Sequence, residues 1–328
     1  MKEFAPNQVI TRIIIFLFSL MFAVSGCGNE PQPQWLPPET THNVITTVSL
    51  EPLWIQPNVF IEFPVDLGLA VSKNMAFLIG SLDIITGSRT YALDIFTGKT
   101  LWTTEHDVLF TLYADDDGLY VEESVGQGGN VTKYDPDTGK ILWSRDFWDS
   151  GGIMHIFSYN DQLHLYLSPD KHKVLNPSTG RTQLSLFPEE PPFFDYGICG
   201  LRYQTPVYTD GLIFYRSNPS YLAGKVCAVD ISTGNLRWKS DIEVISNVVA
   251  GDDAVFVLVE SGELLSLDPL TGETVDAISV SFDNTPFTLY NAHSPVGSYY
   301  LAYDELNKIL LVYLGDSRQL FAFEVKRK

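Results

Sequence analysis

Basic residues are scarce in this sequence. It carries 21 Lys and Arg against 40 Asp and Glu, a formal net charge of −19 over 328 residues. Such a surface repels phosphate backbones, so nucleic acid is not an expected partner. Cysteine is scarcer still. Cys27, Cys199 and Cys227 are the only three, too few for a disulfide scaffold. The histidines His42, His106, His155, His164, His172 and His293 fall in no HExxH or similar metal pair. GxSxG, GxGxxG and P-loop patterns are missing, and Gly126-Gln127-Gly128-Gly129 reads as a loop between strands rather than a phosphate cradle. Asp115-Asp116-Asp117-Gly118 lacks the terminal carboxylate register of a calcium loop and reads as a solvated hairpin tip. No catalytic residue, metal or cofactor is therefore expected. What is abundant is apolar: 45% hydrophobic residues, with 20 Phe and 16 Tyr, argue against disorder and for strands.

Long hydrophobic runs are also few. Ile13–Val24 is broken only by Ser19 and is preceded by Lys2 and Arg12. A membrane-spanning helix needs ~20 apolar residues, so this shorter run suits the apolar region of an export signal. Val24-Ser25-Gly26-Cys27 follows directly and resembles a bacterial lipobox, in which the cysteine thiol takes a diacylglyceryl group. The resemblance implies a signal peptide over residues 1–26, lipidation at Cys27 and an extracytoplasmic, membrane-held protein. Residues 27–43 contain GNEPQPQWLPPETTH, whose prolines keep the chain extended as a tether. The folded body is then residues 44–328.

That body repeats. Five segments share one pattern: YALDIFTGKTLW, TKYDPDTGKILW, KVLNPSTGRTQL, CAVDISTGNLRW and LSLDPLTGETVD. Their Asp or Asn positions are Asp94, Asp135, Asn176, Asp230 and Asp268, in steps of 41, 41, 54 and 38 residues. An apolar strand ends at Asp, Thr-Gly closes a tight turn, and a second strand follows. Asp can accept from nearby amides, and Gly can take the left-handed conformation. Trp102, Trp143 and Trp238 stand four residues after the glycine, a fixed station that suits packing between adjacent sheets. Each unit also has an upstream hairpin with a polar tip, as in YADDDGLYV and AGDDAVFVL. A β-rich period near 40 points to a propeller.

The sixth unit, AYDELNKILLVYL followed by QLFAFE, ends before its Thr-Gly turn. Glu51-Pro52-Leu53-Trp54 resembles Lys99-Thr100-Leu101-Trp102 and precedes the first hairpin. A ring must hide its sheet edges. We therefore expect an all-β propeller of six four-stranded blades, the last closed by the strand around Trp54.

With these residues in view, the AxDxxTGxxxW pattern resembles the PQQ-like repeat family of β-propellers across roughly residues 50–328. That family includes quinoprotein dehydrogenases and the lipoprotein scaffold of bacterial outer-membrane protein assembly. The resemblance implies either a non-catalytic platform for other envelope or secreted proteins or a PQQ-dependent dehydrogenase. The larger quinoproteins carry adjacent cysteines, and this chain has none. A binder of cell-wall glycan or a small ligand is the third reading, resting on aromatics in two insertions, Phe187–Thr205 and Ser281–Gly297. Those insertions suit partner contact or local packing over blade edges. Cys199 and Cys227 either form a disulfide outside the cytoplasm or remain two separate buried thiols.

Overall fold

The protein is described from a computed structural model. The described residues are 48–59, 61, 68–80, 82, 88–106, 109–125, 128–147, 155–159, 161–168, 171–183, 207–209, 211–217, 224–251, 253–279, 281–282, 285–286, 299–315 and 317–327. All belong to the compact unit Ile45–Lys328. Cys27, Cys199, the proposed signal and tether, and the Phe187–Thr205 insertion lie outside them.

The described chain is all strand and turn, arranged as a six-bladed β-propeller. β1 (Val48–Gln56) comes first and is used last. Blade 1 is β2 (Leu69–Ser72), β3 (Met75–Gly80), β4 (Ser88–Asp94) and β5 (Thr100–His106). Blade 2 is β6 (Leu109–Asp115), β7 (Gly118–Val125), β8 (Gly128–Tyr134) and β9 (Ile141–Phe147). Blade 3 has β10 (His155–Tyr159), β11 (Gln162–Ser168) and β12 (Lys171–Leu175) among the described residues, with an isolated antiparallel bridge from Leu175 to Thr182. Blade 4 is β13 (Val207–Thr209), β14 (Leu212–Ser217), β15 (Gly224–Asp230) and β16 (Leu236–Val244). Blade 5 is β17 (Val249–Gly251), β18 (Ala254–Leu258), β19 (Glu263–Leu267) and β20 (Thr274–Ser279). A two-residue ladder, β21 (Ser281–Phe282) with β22 (Thr285–Pro286), is the described part of the second insertion. Blade 6 is β23 (Tyr299–Asp304), β24 (Ile309–Leu314) and β25 (Gln319–Arg327), with β1 as its outer strand.

The closure is an antiparallel ladder from Val48 opposite Arg327 to Gln56 opposite Leu320. Pro52 sits where β1 needs no further donor, since this strand forms the edge of the blade. The sixth blade is therefore split between the two ends of the chain, and the ring has no open edge there.

One row of side chains crosses each blade from inner to outer strand. In blade 1 it is Ala70, Phe77, Ala92 and Trp102. In blade 4 it is Val207, Phe214, Ala228 and Trp238, and in blade 6 Ala302, Leu311, Ala322 and Trp54. The small alanine beside each large indole fits the alternation that close packing favours. Buried clusters fill the junctions, the largest lying between blades 6 and 1 around Trp54, Leu93, Ile95, Tyr300 and Leu311.

Candidate functional site: the junctions between blades

The Asp-x-x-Thr-Gly turns are self-contained. Asp94 Oδ1 accepts from the amides of Phe96 (3.1 Å) and Thr97 (2.8 Å) and from the Thr97 hydroxyl (2.8 Å). The Gly98 amide donates to the Asp94 carbonyl at 2.8 Å, and Gly98 has φ +69°. Asp135, Asn176, Asp230 and Asp268 repeat the arrangement. These bonds hold the Asp135 and Asp230 carboxyls below the usual carboxylate range, the hydroxyl of Thr138 or Ser232 being the leading cause.

The tryptophans link one blade to the next. Trp54 of blade 6 lies over Gly98 of blade 1, where a Cβ would meet the indole at 2.7 Å. Trp102 covers Gly139 of blade 2, Trp143 covers Gly180 of blade 3, and Trp238 covers Gly272 of blade 5. Each indole NH donates to the carbonyl of the residue after the turn Asp or Asn: Ile95 at 2.7 Å, Pro136 at 2.8 Å, Pro177 at 2.9 Å and Pro269 at 2.8 Å. Glycine is required there twice over, for its left-handed φ and for the flat ring above it. Trp54 and Trp143 are each 7% exposed, whereas Trp102 and Trp238 are half-buried.

The fifth unit has no tryptophan, and the structure shows what stands in its place. Asp276 ends that row, after Val249, Phe256 and Ser266. Its carboxylate accepts from the backbone amide of Val48 at 2.9 Å, at the start of the closing strand. Blade 6 has no Thr-Gly turn to cover, because its third and outer strands, β25 and β1, are not consecutive along the chain. An acceptor for the first amide of β1 occupies the station instead. Sequence reading missed Asp276. The sequence signal was a break in the Trp pattern at the end of LSLDPLTGETVD, a break that KVLNPSTGRTQL shares.

Lys133 replaces the usual alanine in blade 2, between Tyr120 and Trp143. It is buried, its ammonium donates to the Pro177 carbonyl at 3.1 Å, and it lies 5.1 Å from the centre of the Tyr120 ring. Pro177 thus takes bonds from both Lys133 and Trp143, one on each lone pair. Burial lowers the Lys133 pKa, against the opposing pull of Asp115 and Asp117.

Histidines that the sequence left unassigned are engaged in the interior. His106 of β5 points into blade 2 with its side chain 1% exposed. Its Nδ1 meets Glu123 Oε1 at 2.6 Å and its Nε2 meets the Thr90 hydroxyl at 3.1 Å. A carboxylate only accepts, so Nδ1 carries the proton and, in the neutral ring, Nε2 accepts from Thr90. Tyr134 sets its ring edge-on to His106 and donates to Glu123 at 3.4 Å. Hydrogen bonding to His106 holds the Glu123 carboxyl below its ordinary value. The order hydroxyl, imidazole, carboxylate is that of a nucleophile relay, but Thr90 is fully buried and a substrate cannot reach it. His164 is buried between Phe157 and His172. Its Nδ1 lies 2.9 Å from His172 Nε2. Burial first, and the neighbouring His164 second, push the His172 pKa down to about 4.

Asp115 and Asp117 sit in the hairpin tip, where Asp115 Oδ1 caps the amides of Asp117 and Gly118. Among the described residues no three His, Cys, Asp or Glu gather as a metal site. Cys227 is buried in β15, opposite Tyr215 and Lys239.

The family model described as outer membrane protein assembly factor BamB matches residues 43–182 and 91–292. The chain belongs to this family. No curated protein sequence matches it. Among solved structures, BamB from Moraxella catarrhalis is 16% identical, with 78% of this chain and 71% of that one covered and a TM-score of 0.36. Myxococcus xanthus glutaminyl cyclase is 12% identical, with 85% and 97% covered and a TM-score of 0.40. The family match spans the repeats of blades 1 to 5 and therefore the turn and tryptophan stations described above.

Proposed function

We propose that this protein is a lipid-anchored, extracytoplasmic propeller that serves as a non-catalytic platform for other envelope or secreted proteins. Residues 1–26 direct export, Cys27 takes the lipid, and residues 27–43 hold the propeller off the membrane. Membership of a family described by outer-membrane protein assembly is the observation that carries this reading. The interior chemistry is in keeping with it. The His106–Glu123 and Lys133–Pro177 bonds join one blade to the next, and the His106 ring and Lys133 are buried. Trp54, Trp102, Trp143 and Trp238 act in this proposal as blade-docking residues rather than ligand contacts.

Two measurements test it. Metabolic labelling with a fatty acid should mark the full-length protein and fail to mark Cys27→Ser, with loss of membrane attachment. Persistent attachment of the unlabelled variant would remove the anchor. Incubation with pyrroloquinoline quinone and Ca²⁺, followed by dye reduction over alcohols and sugars, should give no turnover. Activity there would replace the platform with a dehydrogenase.

A further inference from the structure

Alternation in a four-stranded antiparallel blade places the first–second and third–fourth turns at one end of the ring and the remaining connections at the other. At the end that carries the Thr-Gly turns, the second residue after Asp or Asn is Phe96, Asp137, Ser178, Ser232 or Leu270. In Phe96, Ser178, Ser232 and Leu270 that station donates its backbone amide to the turn side chain, and only Ser232 adds its own side chain, through the hydroxyl. Nothing in the turn asks for a large apolar side chain. Yet Leu270 is 60% exposed and Phe96 46%, and Leu306, in the first turn of blade 6, is 84% exposed. At the turn tips the three apolar residues fall on consecutive blades, 5, 6 and 1, while blades 2, 3 and 4 carry Asp137, Ser178 and Ser232; the other exposed large apolar residues, Leu53, Leu101, Ile141, Leu142 and Leu236, lie on the outer strands.

The arc is physically continuous. Asn307, next to Leu306, donates to Asn74 of blade 1 at 2.6 Å, and the Asn74 carbonyl accepts from Ile95, next to Phe96, at 3.0 Å. Glu305 lies over Gly251 of blade 5. The charge around the arc is uneven. The exposed Glu273 follows Leu270, and the part-exposed Glu305 precedes Leu306, with Lys308 the nearby cation, 3.8 Å from Glu305; Asp268 caps its own turn and Asp304 is buried against Asn307. Around Phe96 the exposed charges are Lys73 and Lys99.

We propose that this arc is the docking surface of the platform, and that it takes a protein segment bearing large apolar side chains flanked by lysine or arginine where it meets blades 5 and 6. The apolar tips supply contact area that water would otherwise hold, and the carboxylates select the sign of the partner. The excess of carboxylates around Leu270 and Leu306 argues against an anionic lipid surface and against the same arc of a second copy. The inference rests on the platform reading and refines it.

Site-specific photo-crosslinking on the full-length protein in cell envelopes tests both, with benzoylphenylalanine placed at Leu306, at Leu270 or, at the opposite end of the ring, at Ser317. Protein adducts should form from Leu306 and Leu270. Mass spectrometry of the joined peptide should find lysine or arginine beside an apolar residue. Adding Glu273→Lys and Glu305→Lys should lower the yield at least fivefold at an unchanged melting temperature. Adducts from Ser317 alone would overturn the docking surface and leave the platform standing. Adducts from none of the three would count against the platform as well. A joined lipid, a second copy of this chain, an acidic segment, or a yield indifferent to the charge reversals would each overturn the partner chemistry.

Discussion

The junction between blades 6 and 1 and the junction between blades 5 and 6 do the same job with opposite chemistry. At the first, Trp54 buries an indole over Gly98 and donates to Ile95. At the second, Asp276 occupies the tryptophan station and accepts from Val48. The difference follows from the split of blade 6 between β25 and β1. A tryptophan has value at this station only if the next blade offers a glycine turn to cover. Blade 6 offers the first amide of β1 instead, and an amide asks for an acceptor. At these two junctions the residue at the tryptophan station matches what the neighbouring blade presents.

The comparison breaks most severely if β1 is removed. Deleting residues 48–56 strips the outer strand of blade 6 and uncovers the edge of β25. Each lost ladder bond is worth about 0.5–1.5 kcal/mol net, and the burial of Trp54 goes with them. Together these approach the ~5–15 kcal/mol margin of a folded domain. The expected outcome is loss of cooperative melting, with oligomers on size exclusion, because a bare edge pairs with other chains. A monomer melting like the parent would show that the closing strand is dispensable.

Truncating the indoles comes next. Trp54→Ala and Trp143→Ala should each cost about 3–5 kcal/mol in chemical denaturation. Trp102→Ala and Trp238→Ala should cost less, since those rings are half-buried. Equal losses at all four would mean that burial does not set the size of the effect. Gly98→Ala attacks the same contact from below. It forces a side chain into a left-handed backbone and against the Trp54 ring, and should cost about 1–3 kcal/mol.

Asp276→Ala sharpens the other side. It removes a single acceptor from a partly buried amide, so about 1–2 kcal/mol is expected. Hydrogen exchange should quicken at the Val48 end of β1 and stay unchanged at the Trp54 end. Uniform quickening along the strand would indicate that the carboxylate holds the whole ladder.

The smallest effect is one of pH. His172 titrates at about 4 in the folded protein against an ordinary value of 6.5, so the unfolded chain binds more protons between those values. Stability should therefore fall as pH drops from 6.5 towards 4, and His172→Gln should flatten that slope. Glu123, held low by His106, adds a loss only as pH falls below the ordinary carboxylate range. A melting temperature that rises from pH 7 to pH 5 would contradict the sign.

Much of this architecture is legible in the sequence because its signals are local. The Asp94 turn closes within a few residues, and five copies at steps near 40 give the ring. The likeness of Glu51–Trp54 to Lys99–Trp102 exposed the split blade, since both segments face the same alanine station. Other parts could not be read. Lys133 at an alanine position looks like a surface lysine until Pro177 of the next blade is placed above it. His106 looks solvated until Glu123 arrives from blade 2. Nor does the sequence say which of its exposed apolar residues gather on one arc, because Leu270, Leu306 and Phe96 are far apart along the chain.

The sequence alone determined the turns, the period, the six-fold ring and the strand that closes it. The turns and the period follow from hydrogen bonds and side-chain alternation within each unit, whose partners lie close together along the chain, and the ring and its closing strand follow from the count of units and the likeness of Glu51–Trp54 to Lys99–Trp102. Only the tertiary structure decided which glycine each tryptophan covers, what replaces a tryptophan where no glycine waits, and which ionisable groups are buried. Those outcomes depend on the contact of one blade with the next. That contact is set by the curvature of the whole ring, over separations such as the 228 residues between Val48 and Asp276.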